Sequence, residues 1–255
     1  MKYDGYIIYS DLDGTIRGSD GKISEKNREK LKTFIENGGR FALATGRGVE
    51  HALKLELEFN APLVAVNGTY IYDVQKGECI AKLPMENCKD DYLYAYKNYN
   101  FERLVVCYED EVRNMSDIPD NYEELFLRPV LKIVYIFSKE ADALKFQNEM
   151  SGKYSDKYVF ERSWPVGVEM LCKNAGKGAC VDIVRQYLKD KIHTVICVGD
   201  FENDISMIRT ADIGVAMGNA IESVKAAADV IGPDNNSDAI AWIIDNLCCK
   251  GETQS

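Results

Sequence analysis

The sequence predicts an α/β fold in which a parallel-sheet core is interrupted by an α+β insert. Short apolar stretches alternate with amphipathic ones near both ends of the chain, which is typical of strands and helices in a parallel sheet. The middle of the chain is richer in Tyr and acidic residues and lacks this rhythm. We therefore expect a discontinuous core of residues 1–82 and 171–255, and a separate domain of residues 83–170.

The first part of the core predicts a βαβαβ unit. Ser24 is expected to cap the first helix, whose apolar face includes Leu31 and Phe34 and which ends at Gly38 and Gly39. The predicted elements are a strand Tyr6–Ser10, a helix Ser24–Asn37, a strand Arg40–Ala44, a helix Gly48–Phe59 and a strand Leu63–Val66.

The alternation returns after the insert. The predicted elements there are helix Gly176–Lys189, strand Thr194–Val198, helix Asn203–Arg209, strand Ile213–Ala216, helix Ile221–Ala227 and helix Ser237–Leu247. Within the insert, the stretches "RLVVCYED", "PVLKIVYIF" and "VGVEMLC" predict strands around a helix near Ala141–Met150.

Composition and charge exclude several classes of function. The net charge of −10 and the lack of a basic stripe argue against a nucleic-acid partner. The eight cysteines show no C-x-x-C pairing and lie mostly in apolar runs, so we expect reduced core residues rather than a zinc site or disulfides. With no signal-peptide pattern and no apolar run of membrane-spanning length, we expect a cytoplasmic protein without a membrane partner.

Two carboxylates follow the first predicted strand. Asp11 and Asp13 lie two residues apart, so they can project to the same side while Leu12 packs the other way. Each raises the pKa of the other unless a cation neutralises them. A hard cation such as Mg²⁺ would hold Asp11 ionised as a nucleophile and leave Asp13 to shuttle a proton, and an Asp-Gly turn is the alternative reading.

Polar residues also follow the second strand and open the first helix after the insert. Thr45 and Gly46 of "ALATGR" offer a hydroxyl and backbone N–H groups, or an ordinary helix cap. Arg47 would meet an anionic or hydroxylated substrate, or solvent. Lys177 of "NAGKGAC" lies in the first turn of a helix, where the helix dipole disfavours a cation, so it indicates a bound anion or a solvated side chain.

A fourth cluster ends the strand in "VICVGDFENDISM". Asp200, Asn203 and Asp204 suit a magnesium site, with Asp200 as a direct ligand and Asp204 orienting a bound water, while a helix-capping turn is the alternative. All four clusters follow consecutive elements of one predicted sheet. Because ligands of open parallel sheets bind at the carboxyl ends of the strands, we expect one shared site.

The chain resembles the haloacid-dehalogenase-like (HAD) hydrolase superfamily, and in particular its Cof-type (class IIB) branch of sugar-phosphate phosphatases, whose core is Rossmann-like. The resemblance rests on "DLDGT", "ATGR", "GKG" and "GDFEND" in that order, followed by "ADIGVAMGNAIESVKAAAD". It implies that the insert, which lies between the Thr45 and Lys177 motifs, is an α/β cap of the C2 type that closes over the site.

The resemblance also implies roles for the clustered residues. Asp11 would attack phosphorus to form an aspartyl-phosphate, while Asp13 protonates the leaving alcohol and later activates water. Mg²⁺ would be held by the Asp11 carboxylate, the Asp13 backbone carbonyl and Asp200, with Asp204 acting through water. The transferring oxygens would be bound by Thr45, Lys177, Asn203 and the backbone of Leu12 and Gly46.

We therefore predict a Mg²⁺-dependent phosphatase that acts on a small phosphorylated metabolite. Sugar phosphates are the favoured substrate class, and pyridoxal phosphate and flavin-related phosphates are the alternatives. The sequence does not predict the oligomeric state. Glu169 is expected either to reach the substrate or to be solvated, and Trp164 and Tyr108 either to stack on a ring or to be half-buried packing residues. The alternatives are a phosphomutase on the same fold, for which the four scattered arginines of the insert are an unsuitable set, and a phospho-aspartate signalling module.

Overall fold

The structure, a computed structural model, describes residues 1–115 and 122–248. Its strands in chain order are β1 (Tyr6–Ser10), β2 (Arg40–Leu43), β3 (Leu63–Ala65), β4 (Tyr70–Asp73), β5 (Glu78–Lys82), β6 (Arg103–Cys107), β7 (Val112–Met115), β8 (Lys132–Ile136), β9 (Tyr158–Trp164), β10 (Gly167–Cys172), β11 (Thr194–Gly199), β12 (Ile213–Ala216) and β13 (Val230–Ile231). Its α-helices are α1 (Glu25–Glu36), α2 (Val49–Leu53), α3 (Lys89–Asn98), α4 (Glu140–Tyr154), α5 (Lys177–Leu188), α6 (Ile205–Thr210), α7 (Glu222–Lys225) and α8 (Ala239–Leu247).

A five-stranded parallel sheet forms the core, in the order β13-β12-β11-β1-β2. Almost every residue of β1 and β11 is buried, as expected for a parallel sheet covered on both faces. The helix pairs α1/α8 and α5/α6 contact each other within the hydrophobic cluster that surrounds this sheet. The predicted α/β fold with a Rossmann-like core is confirmed.

The insert contains a second five-stranded sheet, in the order β7-β6-β8-β10-β9, in which all pairs are antiparallel. Alternate residues such as Leu104, Ile133 and Tyr135 pack with Phe146 of α4 in a separate hydrophobic cluster. Val134 and Ile136 of the opposite face line a cavity together with core residues. We use the name cap for residues 83–170, and the division of the chain at those bounds stays our proposal.

The strand predicted at Leu63–Val66 does not extend the parallel sheet as a full member. β3 touches the parallel sheet through one bridge, Ala44 to Val64, and pairs antiparallel with β4 in a three-stranded sheet β3-β4-β5. The chain then turns through a 3₁₀ helix, Val66–Gly68, in which Asn67 takes a left-handed conformation (φ 52°). This turn places Asn67 beside the carboxyl ends of the core strands.

The predicted helix Gly48–Phe59 is wrong beyond its first turn and a half. α2 ends at Leu53, and Leu55, Leu57 and Phe59 alternate with exposed glutamates. An apolar residue at every second position is the period of an extended segment, so Leu55 and Leu57 can pack on the core without a helix.

Several elements were not predicted, namely α3, β7 and β9 of the cap and the short β13 of the core. Ser24 does cap α1, since its hydroxyl accepts from the Asn27 backbone N–H. Among the described residues, no helix is both long and apolar enough to cross a bilayer.

Candidate active site

The carboxyl ends of the core strands meet as predicted. Ser10 at the end of β1 is paired with Val198 of β11 on one side and with Leu43 of β2 on the other. The backbone N–H of Asp11 donates to Val198 at 2.9 Å, so the loop after β1 starts beside the loop after β11. This register brings together the clusters that follow the three strands.

Lys177 is the buried centre of the site. Its ammonium lies 2.6 Å from Asp11 Oδ1 and 2.6 Å from Asp204 Oδ1, and the side chain is 0% exposed. The solvated reading of Lys177 is therefore wrong. Gly178 makes this approach possible, because a Cβ there would lie 2.6 Å from the Ser206 backbone, so α5 could not pack as closely on α6.

Three carboxylates surround this single lysine. Three carboxylate oxygens, one from each of Asp11, Asp200 and Asp204, all lie within 4.8 Å of one another. Burial raises the pKa of Asp11 to about 8, with Lys177 opposing the rise and both other carboxylates adding to it. Burial and Asp204 raise the pKa of Asp200 to about 7. An oxygen-rich cluster with excess negative charge fits a hard divalent cation.

The loop after β11 holds these carboxylates in place. Asp204 Oδ2 accepts from the backbone N–H groups of Asp200 (2.9 Å) and Phe201 (3.1 Å), so the capping-turn reading holds alongside the contact with Lys177. Asp200 Oδ1 accepts from the Thr15 hydroxyl at 2.8 Å. Gly14, with φ 85°, is required here, since a Cβ would lie 2.5 Å from Asp200 Oδ2.

The Asp13 carboxylate points away from this cluster to two arginines. Arg17 Nη1 donates to Oδ1 at 2.8 Å and Arg47 Nε donates to Oδ2 at 2.9 Å. Burial raises the pKa of Asp13, but the two guanidinium groups outweigh it and hold the pKa below its usual value. Asp13 is therefore ionised at neutral pH in this arrangement.

The remaining predicted residues line the cavity or adjoin it. Thr45 is not a helix cap, because α2 begins only at Val49. The Thr45 hydroxyl instead accepts from the Arg47 backbone N–H at 3.1 Å. Asn203 is buried and donates to Asn67 Oδ1 at 3.3 Å. The Leu12 side chain is buried in the core, so only its backbone is available to a ligand.

A cavity of about 830 Å³ separates these residues from the cap. Its core side is formed by the motif residues, and the cap side combines apolar with polar groups. The cap residues include Arg103, Val105, Asn114, Val134, Ile136, Trp164 and Glu169. Trp164 and Tyr108 both line the cavity. Tyr108 is otherwise buried, and its hydroxyl donates to the Leu125 carbonyl.

Three residues near the site were missed from the sequence: Arg17, Asn67 and Lys132. Lys132 carried a signal, because it is flanked by Leu131 and Ile133 in an apolar strand where an unpaired charge is costly. Glu169 is neither solvated nor free, since it is 2% exposed and bound to Lys132. Arg17 and Asn67 carried no local signal.

The haloacid dehalogenase-like hydrolase family matches residues 8–244 of the chain. Among characterised proteins, the chain is 25% identical to a 5-amino-6-(5-phospho-D-ribitylamino)uracil phosphatase, YitU, of Bacillus subtilis, covering 94% of this chain and 97% of that protein. It is 26% identical to the pyridoxal phosphate phosphatase YbhA of Escherichia coli, covering 93% and 97%. It also matches 45% of the length of a chloroplastic endoribonuclease, YBEY, of Arabidopsis thaliana at 27% identity over 92% of this chain.

Solved structures share the fold. A haloacid dehalogenase-like hydrolase from Bacteroides thetaiotaomicron superposes with a TM-score of 0.75 at 27% identity, covering 94% of this chain and 98% of that one. The HAD subclass IIB sugar phosphatase BT4131 superposes with a TM-score of 0.77 at 22% identity, covering 94% and 97%. The chain therefore belongs to the haloacid dehalogenase-like hydrolase family, in its Cof-type branch of phosphoric monoester hydrolases.

Proposed function

We propose that this chain is a Mg²⁺-dependent phosphatase that hydrolyses small phosphorylated metabolites, chiefly sugar phosphates, through an aspartyl-phosphate formed on Asp11. The observation that carries the proposal is the buried Lys177 ammonium, which lies 2.6 Å from Asp204 and 2.6 Å from Asp11, a residue that lines the cavity between core and cap. Phosphoryl transfer requires mainly positioning and neutralisation of charge, and this arrangement is suited to both.

The acidic cluster would hold the metal. The carboxylates of Asp11 and Asp200 and the backbone carbonyl of Asp13 are the proposed ligands, and Asp204 would act through a bound water. The fit rests on three carboxylates within 4.8 Å that Lys177 alone cannot neutralise. When bound, Mg²⁺ neutralises charge on the phosphoryl oxygens.

The chemistry then needs two steps. A carboxylate oxygen of Asp11 bonds to phosphorus as the bond from phosphorus to the leaving oxygen breaks, and Asp13 gives that oxygen its proton. In the second step Asp13 takes a proton from water, whose oxygen attacks phosphorus, and the bond to Asp11 breaks. Inorganic phosphate leaves and the Asp11 carboxylate is regenerated.

Arg47 is proposed to change partners during this cycle. While both guanidinium groups bind Asp13, its lowered pKa suits a base and not a proton donor. Arg47 is 53% exposed and lines the cavity, so it can leave Asp13 for an anionic or hydroxylated substrate. Its departure would let the Asp13 pKa rise toward the range in which the group donates a proton.

The phosphoryl oxygens would be bound at the edge of the core sheet. The proposed ligands are Lys177, the Thr45 hydroxyl, the Asn203 amide and the backbone N–H groups of Leu12 and Gly46. Thr45, Gly46 and Asn203 line the cavity beside Asp11. Successive backbone N–H groups in turns are known ligands for phosphate.

The cavity supports a small-molecule substrate. Its volume of about 830 Å³ is within the range of small-ligand pockets. Asn114, Glu109 and His51 offer partners for hydroxyl groups, while Trp164 and Ile136 form an apolar side. A phosphate with a planar ring therefore belongs in any substrate panel beside the sugar phosphates.

The cap arginines favour hydrolysis over a phosphomutase reaction. Arg128 binds Asp110 and Glu111, Arg113 binds Glu111, and none of these arginines is free to surround a sugar. Arg103 lines the cavity. The phosphoryl group is thus expected to be released to water instead of being returned to a second hydroxyl.

The test is phosphate release from a panel of sugar phosphates, pyridoxal phosphate and a ribitylaminouracil phosphate, with Mg²⁺ or with EDTA. We expect multiple turnovers with Mg²⁺, and a loss of about 10³-fold or more in Asp11→Asn, because the nucleophile is removed. Turnover that survives EDTA or Asp11→Asn would contradict the proposal. A phosphorylated Asp11 that persists without phosphate release would favour a signalling module.

A further inference from the structure

A buried polar group joins the cap to the core beside the phosphoryl site. Lys132 of β8 and Glu169 of β10 form an ion pair at 2.8 Å, with side chains 5% and 2% exposed. We call the group formed by Lys132, Glu169 and Ser163 of the cap with Gly46 and Asn67 of the core the cap–core cluster. A buried ion pair is costly to desolvate, so its retention here calls for a role beyond packing.

Within the cap–core cluster, Lys132 contacts Gly46 of the core. Lys132 Nζ donates to the Gly46 carbonyl at 3.0 Å. A Cβ on Gly46 would lie 3.0 Å from Asn67 Oδ1 and 3.5 Å from Lys132 Nζ, so this glycine is enclosed from two sides. The peptide of Gly46 therefore takes its orientation partly from a cap residue.

Glu169 is connected to Asn203 of the core through hydrogen bonds of Asn67. Glu169 Oε2 accepts from the Ser163 hydroxyl at 2.7 Å and from the Asn67 amide. Asn67 is held in its left-handed conformation by its own N–H, which donates to the Thr45 carbonyl at 2.9 Å. Its Oδ1 in turn accepts from Asn203 Nδ2 at 3.3 Å, so the orientation of the Asn203 amide depends on Glu169 through one residue.

The capacity of these groups is already used within the cap–core cluster. Both Glu169 oxygens accept hydrogen bonds, one from Lys132 and the other from Ser163 and Asn67. Lys132 donates two of its three protons, to Glu169 and Gly46. Although both residues border the cavity, their hydrogen bonds join them to each other, to Ser163, and to Gly46 and Asn67 of the core.

We propose that Lys132 and Glu169 are positioning residues that align Gly46 and Asn203 for the phosphoryl group when the cap closes. The inference rests on the proposed function, since it takes those two residues as ligands of the phosphoryl oxygens. It assigns to the cap an action on the transferring group that is independent of the leaving group. A cap that only selects leaving groups would not need this cluster.

The test measures binding of orthovanadate, which has no leaving group, by calorimetry in the presence of Mg²⁺. We compare the wild type with Glu169→Gln and Lys132→Met. We expect both variants to bind orthovanadate about 10- to 100-fold more weakly, with a similar loss of kcat on every substrate, because displaced ligands no longer match the phosphoryl group. Unchanged orthovanadate affinity with a raised KM for particular substrates would overturn the inference.

Lys82→Met is the matched control. Lys82 of β5 pairs with Glu109 of the cap, so it also joins cap to core, but its ion pair touches neither Gly46 nor Asn203. We expect its orthovanadate affinity to stay within about twofold of the wild type, as an exposed ion pair contributes little. An equal loss in Lys82→Met would show that any cap–core contact suffices and would overturn the specific role of the cap–core cluster.

Ser163→Ala serves if the charge variants fail to fold. It removes one hydrogen bond to Glu169 and leaves the ion pair intact. We expect a smaller loss, about 2- to 10-fold in orthovanadate affinity, with an unchanged melting temperature to within a few degrees, and an unchanged affinity would overturn the inference. Wild-type protein that binds no orthovanadate with Mg²⁺ would overturn the proposed function as well, which separates the two failures.

Discussion

In the part of the chain that the structure describes, two lysines are buried, Lys177 in the core and Lys132 in the cap, and the carboxyl groups around them differ in number. Lys177 lies between Asp11 and Asp204 at 2.6 Å from each. Lys132 lies between one carboxylate, Glu169, and a neutral carbonyl. The first site groups three carboxyl groups with one lysine, and the pKa values of two of them are raised. In the second site, Lys132 forms an ion pair with one carboxylate.

The net charge around Lys132 also depends on a second buried carboxyl group, that of Glu161. This residue lies opposite Glu169 on β9 and is buried, with one oxygen that has no hydrogen-bond partner. Burial and the charge of Glu169 raise the pKa of Glu161, which favours the protonated form of this carboxyl group. Only Glu169 is left to balance Lys132.

The difference separates a site built for chemistry from one built for alignment. Ionisation of three carboxyl groups close together is unfavourable unless a cation binds, so the Lys177 site is suited to a cation. A balanced pair with its hydrogen bonds filled is complete in itself and can only orient its neighbours. Burial of a lysine alone would not have distinguished the two.

Removal of Lys177 should have the largest effect. We expect Lys177→Met to lower kcat by about 10³-fold or more, because it removes a charge from the phosphoryl site and leaves three carboxylates without their cation. Lys132→Met should lower kcat by only about 10- to 100-fold. Steady-state kinetics on one substrate of the panel check both, and equal losses would break the comparison.

The free energy of unfolding should also respond differently at the two lysines when a partner carboxylate is removed together with the lysine. Lys132→Met leaves Glu169 buried and unpaired, at an expected cost of about 3–5 kcal/mol of unfolding free energy, and adding Glu169→Met should recover part of it. Adding Asp11→Asn to Lys177→Met should recover less, because Asp200 and Asp204 stay close together. Urea unfolding of the four variants measures this, and equal recovery would contradict the proposed imbalance.

Metal-free protein should lose stability as pH rises. The folded pKa values of Asp11 and Asp200, about 8 and about 7, lie above the unfolded value, so the folded state binds more protons and stability falls between about pH 4 and pH 8. The expected result is a lower free energy of unfolding at pH 8 than at pH 5.5. Mg²⁺ should reverse it, with a larger gain in melting temperature at pH 8 than at pH 5.5.

Asp200→Asn is the control for this pH dependence. The variant should show a shallower fall with pH and a smaller response to Mg²⁺, since one carboxylate of the cluster is gone. Thermal melts across the pH range with EDTA or Mg²⁺ provide the measurement. If the melting temperature of Asp200→Asn fell with pH as steeply as that of the wild type, Asp200 would not be a source of the pH dependence.

The smallest effect is expected at an exposed lysine. Lys82 and Glu109 are 34% and 44% exposed, so solvent screens their ion pair. Lys82→Met should change the unfolding free energy by less than about 1 kcal/mol and leave kcat within about twofold. A change as large as that of Lys132→Met would mean that location at the cap boundary matters more than burial.

Much of the site could be predicted from the sequence because its parts are local. Asp11, Thr45, Lys177 and Asp200 each follow or open a core element, and parallel strands bring their carboxyl ends to one edge. The helix predicted at Gly48–Phe59 shows the opposite case. Its apolar period of two was present in "LELEF", but a short run of that kind is readily taken for a continuation of the preceding helix.

The sequence by itself determined the α/β fold, the insertion of the cap and the set of strand-end residues, since periodicity and element order depend on neighbours along the chain. Tertiary structure alone decided which charges meet. Glu169 contacts Asn67 across 102 positions and Lys132 across 37, and Asp13 meets Arg47 across 34. The Glu169–Asn67 contact depends on how the cap sheet is placed over the core, whereas the other two depend on strand pairing within the cap and on loop placement within the core. The energy of a buried charge depends on all its neighbours at once.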